Sequence, residues 1–213
     1  MSRPRILMAD DHRMLAEGLR SLLEPEFELV EIVENGRQLV EAAQRLRPEV
    51  IVADISMPQL NGLDAVEQLR QAGCQAKVVF LTMHKDALYA ARAVRAGASG
   101  FVVKHSDSSE LVTAIREALA GRSYLTPALA ELVQNMPDSR TAGFDKDVRL
   151  TPRQRQVLQL FAEGRSAKEV ARILKISVRT AENHKAQITS LLGLNSTADL
   201  VQCAIRHGLI APN

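Results

Sequence analysis

Hydrophobic and polar positions follow two different rhythms along the chain. Over the first 120 residues, short β-branched apolar runs recur: "RILMAD" (5–10), "FELVEIVE" (27–34), "EVIVAD" (49–54), "KVVFLT" (77–82) and "GFVVK" (100–104). Runs of this length and composition predict buried strands. Between them, apolar residues recur at three-to-four spacing: Met14, Leu15, Leu19, Leu22 and Leu23, then Leu39, Val40, Ala43 and Leu46, then Leu63, Val66 and Leu69. That spacing predicts amphipathic helices. Five strand-and-helix units of about 20 to 25 residues each imply a parallel sheet covered by helices on both faces. Sheet order is not encoded in the periodicity.

A further helix is expected from Ser106 to about Ala120, opened by the cap-rich "SDSSEL" and closed by Gly121. The stretch "TPALAELVQNMPDSRTAGFDKD" starts as a short helix and loses its pattern at Pro137, so residues 137–147 read as linker. From Arg149 the rhythm is helical throughout. Val157, Leu158, Leu160 and Phe161 mark one helix, ended by Gly164, and Val170, Ala171, Ile173 and Leu174 mark a second. After a "KIS" turn, Ala181, His184, Ile188, Leu191 and Leu192 mark a third, and a fourth runs from about Thr197 to His207. The expected organisation is an α/β domain over 1–121, a linker with a short helix over 122–148 and a small all-α domain over 149–213. So small a helical unit has room for a surface function but hardly for an enclosed active site.

With 213 residues, 46% hydrophobic and 24% charged, the composition is that of ordinary globular domains. No run approaches the roughly 18 to 20 apolar residues of a membrane span, and no signal-peptide pattern opens the chain, so a cytoplasmic protein is expected. Cys74 and Cys203 have neither metal-ligand spacing nor a disulfide framework, and read as packing residues. The net charge of +2 hides an asymmetry: residues 1–148 carry 17 basic and 21 acidic side chains, net −4, and residues 149–213 carry 10 and 4, net +6. A basic second half suggests nucleic acid as its partner, and an ordinary solvated surface is the plainer account.

In an open α/β sheet, ligands gather outside the carboxyl ends of the strands. Those ends carry Asp10 with Asp11, Asp54, Thr82 and Lys104. Three carboxylates brought together repel one another unless a cation sits among them. Oxygen donors suit a hard ion, here Mg²⁺. With the charge screened, Asp54, alone at the end of the most continuously apolar strand, is the natural nucleophile toward phosphorus, forming an acyl phosphate. Lys104 would neutralise phosphoryl charge and the Thr82 hydroxyl would bond a phosphoryl oxygen. A lone Asp pair equally serves as a helix cap. Matching chemistry at four strand ends favours the site.

Residues 5–121 resemble the receiver domain of two-component response regulators, through "MADDH", "VADISMPQLNGLD", "VVFLTMH" and "GASGFVVK". The resemblance implies a flavodoxin-like, doubly wound, five-stranded parallel sheet of order 2-1-3-4-5, with Asp54 as the phosphoacceptor. It implies Mg²⁺ held by Asp11, Asp54, the Ser56 backbone carbonyl and, through water, Asp10. It further implies a switch in which Thr82 moves onto the phosphoryl group and Phe101 swings inward, Lys104 completing the set; plain core packing is the other account of Phe101. Met83 stands where many receivers have a small residue, and His84 and Ser56 flank the site. His105 replaces a proline that often follows the lysine, and a cis bond without proline costs about 2.5 to 4 kcal/mol.

"SAKEVARILKISVRTAENHKAQITSLL" reads as helix, tight turn, helix, with Ser177 capping a recognition helix of about residues 178–192. Ala181, His184 or Lys185, Ile188 and Leu192 fall on its inner face, and Arg179, Glu182, Asn183 and Ala186 on the outer one. The N-terminal part of such a helix enters the major groove. Asn183 suits adenine and Glu182 suits cytosine N4, whereas Lys185, Lys168 and Arg172 suit phosphates. An ordinary surface helix pair fits the pattern alone equally well.

Residues 149–211 resemble the LuxR-type helix-turn-helix, and the order of domains resembles the NarL/FixJ response regulators. The chain departs from the family at Gln154, Gln156, Ala181 and Leu191, the last replacing a basic residue and so weakening phosphate contact. The resemblance implies a transcription factor rather than an enzyme, a sensor histidine kinase as phosphodonor, double-stranded DNA as target, and a homodimer when phosphorylated or DNA-bound. It places the dimer contact on the last helix, at Leu200, Val201 and Ala204, where core packing is the competing account. Two other classes compete: a phosphatase passing through an aspartyl phosphate, against which stands the absence of a "DxD" pair or a glycine-rich phosphate loop, and an unphosphorylated protein-binding regulator, against which stands the intact acid set.

Overall fold

The structure is a computed structural model that describes residues 2–83, 90, 93, 96–134 and 150–210. The β-branched runs form strands β1 (Arg5–Ala9), β2 (Glu28–Val33), β3 (Val50–Asp54), β4 (Lys77–Thr82) and β5 (Gly100–Val103). The three-to-four spacings form α1 (Arg13–Leu23), α2 (Gly36–Leu46) and α3 (Gly62–Gln71), followed after β5 by α4 (Ser108–Leu119). All strand pairs are parallel, in the order β2-β1-β3-β4-β5-β6. The expected order is therefore found, with six strands rather than five among the described residues. The addition is β6 (Tyr124–Leu125), which pairs with β5 just before α5 (Pro127–Gln134). Two residues are too few to show alternation.

Period-two alternation explains the layers. Leu7, Ile51, Ala53, Phe80 and Phe101 point to one face, where α2 and α3 bury Leu39, Ala43, Leu63, Val66 and Leu69 against them. Ile6, Met8, Val52, Val79 and Leu81 point to the other, covered by Ala16 and Leu23 of α1 and Leu111 and Ile115 of α4. Every residue of β3 is buried. The helices start on side-chain caps: Asn35 accepts from the Gln38 amide, Asn61 from the Asp64 amide and Asp107 from the Ser109 amide. Gly62 has a specific reason. A Cβ there would lie 2.1 Å from the Asp54 carbonyl oxygen, so only glycine lets α3 begin directly against the end of β3.

The basic half is a second core of four helices: α6 (Pro152–Ala162), α7 (Ala167–Leu174), α8 (Val178–Leu192) and α9 (Thr197–Arg206). Val157, Leu158, Leu160, Val170, Ala181, Ile188, Leu200 and Ala204 fill it. Thr151, Ser166 and Ser196 form capping boxes. Gln154 completes the Thr151 box, because a glutamine oxygen accepts from the cap amide as well as a carboxylate does. Lys175 closes α7 in the left-handed region and Gly193 closes α8. No described peptide bond is cis, the Lys104–His105 bond included.

Candidate functional site

The carboxyl ends of β1, β3, β4 and β5 meet at one edge of the sheet and bring together the side chains that the sequence nominates. Asp10 and Asp54 are 0% and 2% exposed, which would be prohibitive for two unpaired carboxylates. Lys104 supplies the compensation. Its ammonium donates to Asp54 Oδ2 at 2.7 Å and pairs with Asp10 Oδ2 at 2.8 Å. The Ser56 amide donates to the other Asp54 oxygen, Oδ1, at 3.2 Å. Burial pushes the Asp54 carboxyl above its ordinary range, opposed by Lys104 and reinforced by Asp10. For Lys104, burial pulls downward, and the two carboxylates outweigh it, so the ammonium is held more firmly than usual.

Asp11 lies at the exposed rim, and His12 turns its ring over the cluster. One ligand atom from each of Asp10, Asp11, His12 and Asp54 lies within 4.8 Å of the other three. Two buried carboxylates converging with an exposed one are the donor set of a hard divalent cation. Thr82 is buried at the end of β4, beside β3. Phe101 is buried in the core, facing Phe80 across the β4–β5 pair. Met83 is exposed, and His84 lies outside the described residues.

The outer face of α8 carries Val178, Arg179, Glu182, Asn183, Ala186, Gln187, Ser190 and Leu191, all exposed. Arg179, Glu182, Asn183 and Ala186 thus share one open stripe, with Lys168 and Arg172 exposed on α7. Lys185 is placed differently. Its ammonium sits 4.8 Å from the centre of the Phe161 ring, half-buried against the domain's own surface. Leu200 and Ala204 are corrected as dimer contacts: at 2% and 0% exposure they belong to the core of their own domain and leave no surface for a second copy. Val201, half-buried, remains at the surface of α9.

Sequence reasoning missed a polar seam between the halves. The loop from Ile55 to Asn61, which directly follows Asp54, is gripped by α6. Gln159 accepts from the Asn61 amide at 2.9 Å and donates from Nε2 to the Met57 carbonyl at 2.8 Å. Glu163 Oε1 accepts from the Gln59 amide at 2.9 Å. Gln59 itself has φ 67°, a left-handed conformation that an L side chain rarely adopts. Arg155 donates to Asp64 at 3.0 Å and pairs with Glu67, while Arg37 bonds the Ile173 carbonyl. Burial pushes the Glu163 carboxyl up, and its Oε2 has no hydrogen-bond partner among the described residues. Beside the seam an open cleft of about 530 Å³ runs from Asp11, Ser56 and Pro58 to Val201, Ile205 and Leu209. The only hint in the sequence is Gln159, polar among apolar residues on α6.

Comparison with known proteins agrees with this geometry. Residues 6–116 match the family model of the response regulator receiver domain, and residues 148–204 match that of the bacterial regulatory proteins of the luxR family. The chain is 34% identical over 210 residues to the transcriptional regulatory protein MctR of Rhizobium johnstonii, covering 97% of this chain and 95% of that protein. It is 32% identical over 197 residues to the nitrate/nitrite response regulator protein NarL of Escherichia coli, covering 91% of each. Among solved structures it is similar to a two-component response regulator of the LuxR family from an Aurantimonas species, with 35% identity and a TM-score of 0.60, covering 62% of this chain and 96% of that one.

Proposed function

Because the chain belongs to the transcription regulators that join a response-regulator receiver domain to a LuxR-family DNA-binding domain, we propose that it is phosphorylated on Asp54 by a sensor histidine kinase. Phosphorylation then controls dimerisation and sequence-specific binding to double-stranded DNA, in the cytoplasm. No described helix is long and apolar enough to cross a membrane. The single observation that carries the reading is the Lys104 ammonium bridging the buried Asp54 and Asp10 carboxylates.

The chemistry follows from that arrangement. A carboxylate oxygen of Asp54 attacks phosphorus, the phosphorus–nitrogen bond of the kinase phosphohistidine breaks, and an acyl phosphate forms on Asp54. Lys104 compensates the added charge, and the Thr82 hydroxyl donates to a phosphoryl oxygen. Asp10, Asp11, Asp54 and the Ser56 carbonyl are the groups that would hold Mg²⁺, which when bound screens negative charge during transfer.

The loop that leaves Asp54 is the loop that α6 grips, so a change at Asp54 acts directly on the seam. Its release frees the second domain. Val201 faces the cleft beside Ser56, and separation of the domains exposes α9 for pairing with a second copy. On DNA, the α8 stripe of Arg179, Glu182, Asn183 and Ala186 meets base edges, and Lys168, Arg172 and Lys185 meet phosphates. Incubation with acetyl phosphate and Mg²⁺, followed by phosphate-affinity electrophoresis, tests the phosphoacceptor. Wild type should give a retarded band and Asp54→Asn none; a retarded band in the variant refutes the assignment.

A further inference from the structure

His12 is the one side chain of the acid cluster that the foregoing reading leaves without a role. It stands at the N-cap of α1, yet its side chain makes no capping hydrogen bond. The ring turns back over the carboxylates instead. Nδ1 lies 3.0 Å from Asp11 Oδ1, 3.2 Å from Asp10 Oδ1 and 4.0 Å from Asp54 Oδ2. The main chain holds it there, because the His12 amide donates to Asp10 Oδ1 at 2.9 Å.

Nδ1 is within hydrogen-bond distance of Asp10 Oδ1, and one ligand atom from each of Asp10, Asp11, His12 and Asp54 lies within 4.8 Å of the other three, close enough for all four to share one ion. We propose that His12 is a nitrogen ligand of the cation held by Asp10, Asp11 and Asp54, and that the site accordingly prefers first-row transition ions such as Mn²⁺, Ni²⁺ and Zn²⁺ to Mg²⁺. The lone pair of the neutral ring supplies the bond. Imidazole suits Ni²⁺ and Zn²⁺, and affinity for such a site rises from Mn²⁺ to Ni²⁺, whereas Mg²⁺ takes oxygen donors and retains water. The inference rests on the cluster being a divalent-cation site.

Tag-free full-length protein loaded with Mn²⁺ alone, studied by electron spin echo envelope modulation, tests it directly. Wild type should show ¹⁴N modulation from a bound imidazole, lost in His12→Phe; its absence from wild type, or its persistence in the variant, overturns the proposal. Calorimetric titrations with Ni²⁺ and Mg²⁺ supply the second readout. In His12→Phe, Ni²⁺ affinity should fall at least about tenfold, and Mg²⁺ affinity should stay within about threefold, its oxygen donors being intact. Equal Ni²⁺ affinity in the two proteins also overturns it. Failure of wild type to bind Mg²⁺ at all would instead overturn the reading of the cluster as a divalent-cation site. If the variant loses both ions together through misfolding, the wild-type Mn²⁺ spectrum decides.

Discussion

Gln159 of the helical domain and Asn61 of the receiver are both fully buried, and the Asn61 amide donates to Gln159 Oε1 at 2.9 Å. Asn61 lies seven residues after Asp54, so one hydrogen bond separates the DNA-binding domain from the loop that leaves Asp54.

Replacing Gln159 with Ala leaves the Asn61 amide and the Met57 carbonyl without their partners as long as the domains stay together. Each such buried group costs about 1–3 kcal/mol, a penalty that separation removes by admitting water. Gln159→Ala should therefore bind DNA more tightly than wild type without any phosphodonor, and small-angle scattering should show a larger radius of gyration. An unchanged radius and affinity would mean that this bond does not restrain the second domain.

Glu163 makes the same seam sensitive to pH. Burial raises its carboxyl pKa between the domains, so the joined state takes up a proton more readily than the separated one. For a raised pKa the sign is that joining is strongest below the ordinary carboxylate value and weakens as pH rises through the raised one. The neutral Glu163→Gln keeps an acceptor for the Gln59 amide and should flatten this dependence, with a smaller radius of gyration than wild type at neutral pH. Scattering across a pH series measures both.

Gly62 positions the strand that ends in Asp54. A Cβ 2.1 Å from the Asp54 carbonyl oxygen forces the backbone apart, and overpacking of this kind costs about 1–3 kcal/mol. Gly62→Ala should lower the urea midpoint of the receiver and slow acetyl-phosphate labelling, whereas Gly18→Ala, where a Cβ meets nothing within 4 Å, should do neither.

On DNA the two kinds of contact separate by their salt dependence. Lys168→Ala and Arg172→Ala should weaken binding to all sequences alike, each reducing the slope of log affinity against log salt by about one. Asn183→Ala should instead relax base preference, at about 1–3 kcal/mol for its cognate pair. Lys185→Ala should also lower the stability of the helical domain, because its ammonium packs on Phe161.

The strands and the acid cluster were legible because burial on both faces writes a continuous apolar run, and because each run stops at a residue whose chemistry makes no sense in a core. Asp10, Asp54, Thr82 and Lys104 announce themselves in this way. The exposed stripe of α8 was legible from period alone. Leu200 and Ala204 were not, since an amphipathic helix shows the same spacing whether its apolar face meets its own domain or a second copy. The Gln159–Asn61 seam lies deeper still. Two uncharged amides far apart in sequence carry no periodic signal, and only the fold joins them.

The central claim is that chemistry at Asp54 governs DNA binding by the second domain. Fluorescence anisotropy with labelled promoter fragments, with and without acetyl phosphate and Mg²⁺, tests it most directly in wild type and Asp54→Asn. The phosphodonor should tighten binding by wild type and leave Asp54→Asn unchanged. Equal tightening in both proteins, or in neither, would contradict it.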